Sequence, residues 1–538
     1  MNCEAERIPV PQGTPLLAST PCSANLPLPM NAPFDQLVAK LKRAHTLGTV
    51  AELLGWDEQV NLPPDSGDVR AEQLAVMAET QHAAATDPEI GRLLAEVEGG
   101  ANRPGEPRLG GDASPYPSDQ SVIARHARRD YDRATKLPAD FVREKATHSS
   151  RAFHAWADAK ARDDFPSYAP YLEKHLELAR REAALLGWGD RPYDFAIDKH
   201  DPGLTAAQIT TLFTELKSGL VPLVREIQAS RVRADLGLLH DFPVASQQVF
   251  LREVTARIGF NYRRGRIDVS LHPFCSGPGA DIRMTTRFDA DRPLRSLFGA
   301  IHETGHGLYE QGLPREHLGT ALGQAAGMAA HESQSRLWEN QVARGRAFWA
   351  FFEPKFRALF PAQLAAVSSE ALYLAVNAVQ PTLIRVDSDE VHYNLHILLR
   401  FELEQRLFAG ALAVRDLPAA WNALCGELLG RTPANDREGV LQDVHWSGGG
   451  FGYFPSYCLG NMMAAQLWAT VRRARPGLED EFARGDFSGL LGWLRENIHA
   501  HGRRFDTLAL VRRVTGEELS PAPLLGYLRE RYGGLYLS

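Results

Sequence analysis

The 538-residue chain is 44 % apolar and 23 % charged, enough to bury a sizeable core. Its net charge of −7 argues against nucleic acid or an anionic membrane as the main partner. Five scattered cysteines without a C-x-x-C pair argue against a disulfide frame or a cysteine zinc site and point to reduced thiols in a cytoplasmic protein. No apolar stretch approaches the roughly eighteen residues that would span a membrane, and the N-terminus lacks the basic start and apolar run of a signal peptide.

Residues 1–33 are rich in Pro, Ser and Thr and are expected to form a disordered tail. From Phe34 to about Leu94 apolar residues at Leu37, Val38, Leu41, Leu47, Leu53 and Leu54 follow a helical period. Pro63-Pro64 breaks this region, and a second helix is expected over Arg70–Ala84, the pair opening a bundle. Between about 98 and 120 Gly and Pro dominate, which predicts an exposed insertion. Helices follow over Val122–Ala134, Ala139–Lys160, Pro166–Leu186 and Thr205–Arg231, with the PYDFAIDKHDPG stretch before the last of them expected as a turn. Alternating and β-branched patterns at Ile267–Leu271 and Asp281–Phe288 predict a small sheet. Pro293 to about Ala474, Leu478–His499 and the last forty residues are again helical in pattern, and no repeat is evident. The expected fold is mainly α, with 34–538 as a single large helical body and a small β-sheet just before one distinctive helix.

That helix carries His302-Glu303-Thr304-Gly305-His306, an H-E-x-x-H motif. Asp291 and Pro293 are start signals, Leu294, Leu297, Phe298 and Ile301 an apolar stripe, and Gly312 a stop. Residues i and i+4 share a helix face, so His302 and His306 can both address one Zn²⁺ with Glu303 beside the open position. A catalytic zinc needs a third ligand. The metzincin extension would require glycine at 309 and histidine at 312, where this chain has Tyr309 and Gly312. The remaining source is the next helix, which offers Glu332, His331 and Glu339; Glu332 is preferred because His₂Glu is a known catalytic set.

Four other stretches concentrate His, Arg, Tyr and Asp: His272-Pro273-Phe274, Asp281–Arg287, Ile384–Asp389 and Gly439–Trp446, the last followed by FGYFPSYCLGN. Each alone reads as a turn or packing feature. Together H-P-F, the D-x-R-x-T of Asp281–Thr285, H-E-x-x-H, His331-Glu332-Ser333-Gln334, the I-R-x-x-S-D of Ile384–Asp389 and the G-x-x-Q-D-x-H-W of Gly439–Trp446 resemble, in order and spacing, the carboxypeptidase Taq family of thermostable-type metallocarboxypeptidases. The resemblance runs from about Phe34 to the C-terminus. It departs only in the N-terminal tail and the 98–120 insertion, which touch no motif.

The resemblance implies a helical, saddle-like body with a deep active-site groove, usually a homodimer, that releases single amino acids from peptide C-termini with broad specificity. His302, His306 and Glu332 would hold Zn²⁺, with Co²⁺ or Mn²⁺ also accepted, and Glu303 would be the general base. His445 and Tyr457 are expected to stabilise the oxyanion. Arg385, by its motif, and Arg283 after it are expected to pair with the substrate's free carboxylate, with Tyr453 and His272 completing the substrate-binding set. An internal ion pair with Asp387 or Asp389 is the competing role for Arg385. Glu310, one turn beyond His306, could orient it, and Cys275 is expected as a thiol near the metal, inert as most buried cysteines are. Two further readings compete: a deep-groove oligopeptidase cutting internal bonds, and a catalytically silent binding protein on the same fold, against which the intact H-E-x-x-H and Glu332 argue.

Overall fold

Proline breaks and polar caps divide the chain into helices largely where the 3.6-residue patterning predicts them. The computed structural model describes residues 32–100 and 118–538; the expected tail up to residue 31 and the middle of the expected insertion, 101–117, lie outside the described residues. The elements are α1 (Ala32–Val60), α2 (Gly67–Ala85), α3 (Pro88–Gly100), α4 (Asp119–Lys136), α5 (Ala139–Arg162), α6 (Phe165–Leu185), α7 (Pro192–Asp198), α8 (Ala206–Ala229) and α9 (Val244–Arg257). Three short strands follow, β1 (Gly265–Val269), β2 (Cys275–Ser276) and β3 (Ile282–Thr286). Then come α10 (Pro293–Gly312), α11 (Met328–Arg336), α12 (Arg346–Leu359), α13 (Pro361–Leu364), α14 (Ser369–Val376), α15 (Glu390–Phe408), α16 (Leu417–Leu429), α17 (Phe454–Ala474), α18 (Leu478–Ala483), α19 (Ser488–Asn497) and α20 (Thr507–Thr515). The protein is mainly α.

Side chains at the helix starts take up backbone N–H groups that have no partner within the helix. Ser118 accepts from Ser121 N, Asp164 from Ser167 N, and Thr205 with Gln208 forms a reciprocal capping box on α8. Two differences from the expected elements have a common cause. The PYDFAID stretch is the helix α7, started by Pro192 and held because Tyr193, Phe195 and Ile197 are buried. The helix α9, which the patterning above does not name, buries Phe250, Leu251 and Val254. In both, tertiary burial overrides weak local signals.

The sheet has the order β1-β3-β2. β1 and β3 run parallel from Gly265↔Ile282 to Val269↔Thr286, and β2 pairs antiparallel with Cys275 opposite Met284. Its buried side chains Ile282 and Met284 pack on α10. At Gly307 a Cβ would meet Phe260, Met284 Sδ and Ile282 within 3.3 Å, so that contact needs glycine. One large apolar core joins α5–α20, whereas Leu37, Ile90, Leu93 and Leu94 of α1 and α3 form a separate small cluster with Ala124 and Ala127 of α4. The first helices therefore form a lobe of their own against the main body.

Candidate metal centre

The H-E-x-x-H motif sits in the middle of α10, and α11 crosses it backbone to backbone. A Cβ on Gly305 would lie 2.5 Å from Ser335 Cα and 2.6 Å from Gln334 O, which is why this position of the motif is glycine. The start of α11 is anchored from outside. Asp201 is buried, and its carboxylate accepts from Ala329 N at 2.9 and 3.2 Å, from Ser456 Oγ at 2.6 Å and from Thr507 Oγ1 at 3.0 Å. An anion at a helix N-terminus is favoured by the aligned peptide dipoles.

This crossing brings Glu332 to the two histidines. Its Oε2 lies 3.7 Å from His302 Nε2 and 3.5 Å from His306 Nε2, and the three donor atoms lie within 4.8 Å of one another. Tetrahedral coordination with bonds near 2.1 Å would space its donors about 3.4 Å apart, so the set fits a divalent cation with little movement.

Surrounding groups fix the protonation of each donor. His302 Nδ1 donates to Glu339 Oε2 at 2.9 Å, so Nε2 is the ring nitrogen that faces the site. Burial opposes its ionisation, but the Glu332 and Glu339 carboxylates outweigh burial and raise its pKa, so a cation bound there would displace a proton. On the other side His331 Nε2 donates to Glu310 Oε1 at 3.0 Å. His331 Nδ1 is then an acceptor for His306 Nδ1–H, and His306 Nε2 faces the site unprotonated. Burial and the adjacent His331 push His306 down to about 3, so it stays neutral as a ligand must. Burial opposes ionisation of Glu332, but the Arg336 guanidinium at 2.6 Å, with the two histidines, outweighs it and holds the carboxyl well below the usual range. Arg336 also reaches Glu339 at 3.0 Å. Glu339 is placed by a wider turn of helix over Leu337–Val342, a local widening often found at functional sites. His331 and Glu339, read from spacing as alternative ligands, thus each stand one bond behind a histidine. Glu310 reaches His306 through His331. Arg336, four residues beyond Glu332, was legible as a spacing but not as a partner.

Glu303 points from the same face of α10 and is 7 % exposed. Burial pushes its carboxyl up to about 7, against the pull of His302. A carboxyl poised near neutrality beside a cation site can take and return a proton.

The I-R-x-x-S-D and G-x-x-Q-D-x-H-W motifs bind each other. Gln442 Oε1 accepts from Arg385 N at 2.9 Å, and Asp389 caps α15 through Val391 N and His392 N. Arg385 is not paired with Asp387, which bridges to Arg295 at 2.7 Å, nor with Asp389. It meets Asp443, with Nη2 at 2.8 Å and Nε at 3.0 Å, and Arg400 takes the other Asp443 oxygen. Two guanidiniums on one carboxylate leave this buried group one positive charge in excess. Arg385 lies 5.0 Å from the Tyr457 ring, and Tyr457 Oη is 3.1 Å from His445 Nε2. Burial, then the nearby Arg385, push His445 down to about 4, and burial with the nearby Glu332 carboxylate pushes Tyr453 up to about 12. His445, Tyr453, Tyr457 and Arg385 therefore make one wall adjoining Glu332.

The other expected residues lie elsewhere. Arg283 pairs with Asp281 at 2.7 Å and stacks over Trp56 of α1 at 4.5 Å. His272 is exposed on the turn before β2; its carbonyl accepts from Ser270 Oγ. Thr285, the last residue of D-x-R-x-T, pins that turn through Phe274 N and Ser270 Oγ. Burial, followed by Glu303 and Glu310, pushes the Cys275 thiol well up, which keeps it protonated.

The model of the carboxypeptidase Taq (M32) metallopeptidase family matches residues 36–532. The chain is 43 % identical over 517 residues to thermostable carboxypeptidase 1 of Thermus thermophilus, covering 94 % of this chain and 99 % of the relative. It is 34 % identical to carboxypeptidase 1 of Bacillus subtilis over 92 % of this chain and 97 % of that one. Its fold matches the crystal structure of the M32 carboxypeptidase from Deinococcus radiodurans with a TM-score of 0.89 at 42 % identity, covering 94 % of this chain and all of that one.

Proposed function

From the premise that the chain belongs to the carboxypeptidase Taq (M32) metallopeptidase family, and so is a metal-dependent carboxypeptidase, we propose that His302, His306 and Glu332 hold Zn²⁺ and that Glu303 is the general base. The observation that carries this reading is the convergence of both Nε2 atoms on the one Glu332 oxygen. When bound, the cation supplies a Lewis acid that polarises the scissile carbonyl and acidifies a water. Glu303 takes the proton of the attacking water on its carboxylate and passes it to the departing amine nitrogen. Tyr457, kept protonated by burial and held by His445, donates to the developing oxyanion. Arg385, in a cluster one positive charge in excess, binds the free carboxylate of the substrate and so restricts cleavage to the last residue. Tyr453 lines the same wall. Arg283 and His272, on the strand side, would contact the substrate further from the cleaved bond.

Metal analysis of the purified protein, with activity on a blocked dipeptide lost on chelation and restored by Zn²⁺, Co²⁺ or Mn²⁺, tests the centre. Product analysis tests the exopeptidase limit: single amino acids in C-terminal order support it, and internal fragments would move the chain to the oligopeptidase reading. A purified protein that holds no metal, lacks activity and still binds peptides would instead be a silent binding protein. A cytoplasmic homodimer whose body spans 34–538 completes the proposal; the free thiols Cys275, Cys425 and Cys458 support a reducing compartment, and sedimentation analysis checks the dimer.

A further inference from the structure

Away from the metal centre, α4, the turn after α7 and the start of α20 line an open cavity of about 580 Å³. Arg125, Arg129, Arg133, Lys136 and Arg504 line it, against the carboxylates Asp132, Asp198 and Asp506. Arg504 pairs with Asp119 at 2.5 Å from beside the cavity, so five cations against four anions leave an excess of one positive charge, in a protein whose net charge is −7. The carboxylates are also committed. Asp198 takes both Arg129, at 2.9 Å, and Arg133, and accepts from Gly203 N at 2.8 Å. Asp506 caps α20 through Ala509 N at 2.8 Å, and Asp132 lies 3.5 Å from Arg128 and 3.6 Å from Lys136. Burial first, then the neighbouring cations Arg133 and Arg503 against the pull of Asp198, hold the Arg129 guanidinium below its ordinary value. The cavity therefore concentrates positive potential in a partly desolvated recess. Its size suits a small organic ligand, and the half-buried Trp188 adds an aromatic wall.

We propose that this cavity binds a phosphate-bearing small molecule. Guanidinium groups at fixed spacing match the tetrahedral oxyanion bidentately, and the lysine adds a point charge. The acidic rim of Asp132 and Asp506 disfavours a nucleic-acid backbone. None of the lining residues belongs to the metal centre, so the site is independent of the peptidase reaction.

The test is calorimetric titration of the full-length, metal-loaded protein with inorganic phosphate and with AMP, at an ionic strength held constant with chloride. Arg125 and Lys136 are exposed on α4 and can be replaced together without disturbing the Asp198 cluster. Binding is expected for AMP, for phosphate, or for both. It should weaken at least tenfold in the R125A/K136A variant, whose peptidase activity stays within twofold of wild type, and should persist in the metal-stripped wild type. Tighter binding of AMP than of phosphate assigns a nucleotide; equal binding assigns free phosphate. Absence of binding by both probes, binding unchanged in R125A/K136A, or binding lost on metal stripping each overturns the proposal.

Discussion

Replacing Glu303 by Gln keeps the shape of the side chain and removes its ionisation. In the metal-free fold this carboxyl titrates at about 7, raised from 4.5 chiefly by burial. Because the folded-state value is raised, the group's stability contribution is complete below about pH 4.5 and is lost as pH rises through about 7. With both states ionised, the loss comes to about 3 kcal/mol. Urea unfolding of chelated wild type and chelated E303Q should therefore agree at pH 4.5. By pH 8 the variant should be the more stable by about that amount. Metal restores balance to the buried carboxylate, so the advantage should shrink in metal-loaded protein. The same substitution removes the proton acceptor, and kcat should fall about 10²–10⁴-fold. Parallel pH dependence of the two chelated proteins would refute the claim that Glu303 is held in a desolvated, charge-penalising position.

Glu339→Gln replaces the charged acceptor of His302 Nδ1–H with a neutral amide oxygen and should weaken metal affinity about 10–100-fold, read by competition with a chromogenic chelator while the fold is monitored by circular dichroism. In Arg385→Ala, free-acid peptides should lose their advantage over C-terminally amidated ones; retention of the wild-type ratio would transfer carboxylate recognition to another residue. Gly305→Ala forces a methyl group into the α10–α11 crossing and should destabilise the protein by about 1–3 kcal/mol, seen as a lowered Tm together with weaker metal binding.

The helical class, the span of α10 and the sheet before it were legible because each depends on local signals: apolar spacing, Pro293 as a start and β-branched alternation. The paired histidines were equally legible, since four residues along a helix is a fixed geometry. The metal donor from α11 was not decided by spacing. His331, Glu332 and Glu339 were all within reach. Only the crossing at Gly305, with Asp201 fixing the start of α11 and the widened turn at Leu337–Val342 setting Glu339 behind His302, brings Glu332 to the two histidines as the proposed donor.

The spacing of H-P-F with D-x-R-x-T, and of I-R-x-x-S-D with G-x-x-Q-D-x-H-W, likewise did not say which residues touch. Those pairings depend on contacts between segments up to 58 residues apart, such as Arg385 with Asp443. The basic cavity joins residues 379 positions apart, such as Arg125 with Arg504, so no local pattern announces it. Periodicity along the chain determined what each element is and which face it buries. Which charges share a buried space, and so which group is a ligand, a base or a support, was decided only when the elements packed, because desolvation and Coulomb interaction act through space rather than along the backbone.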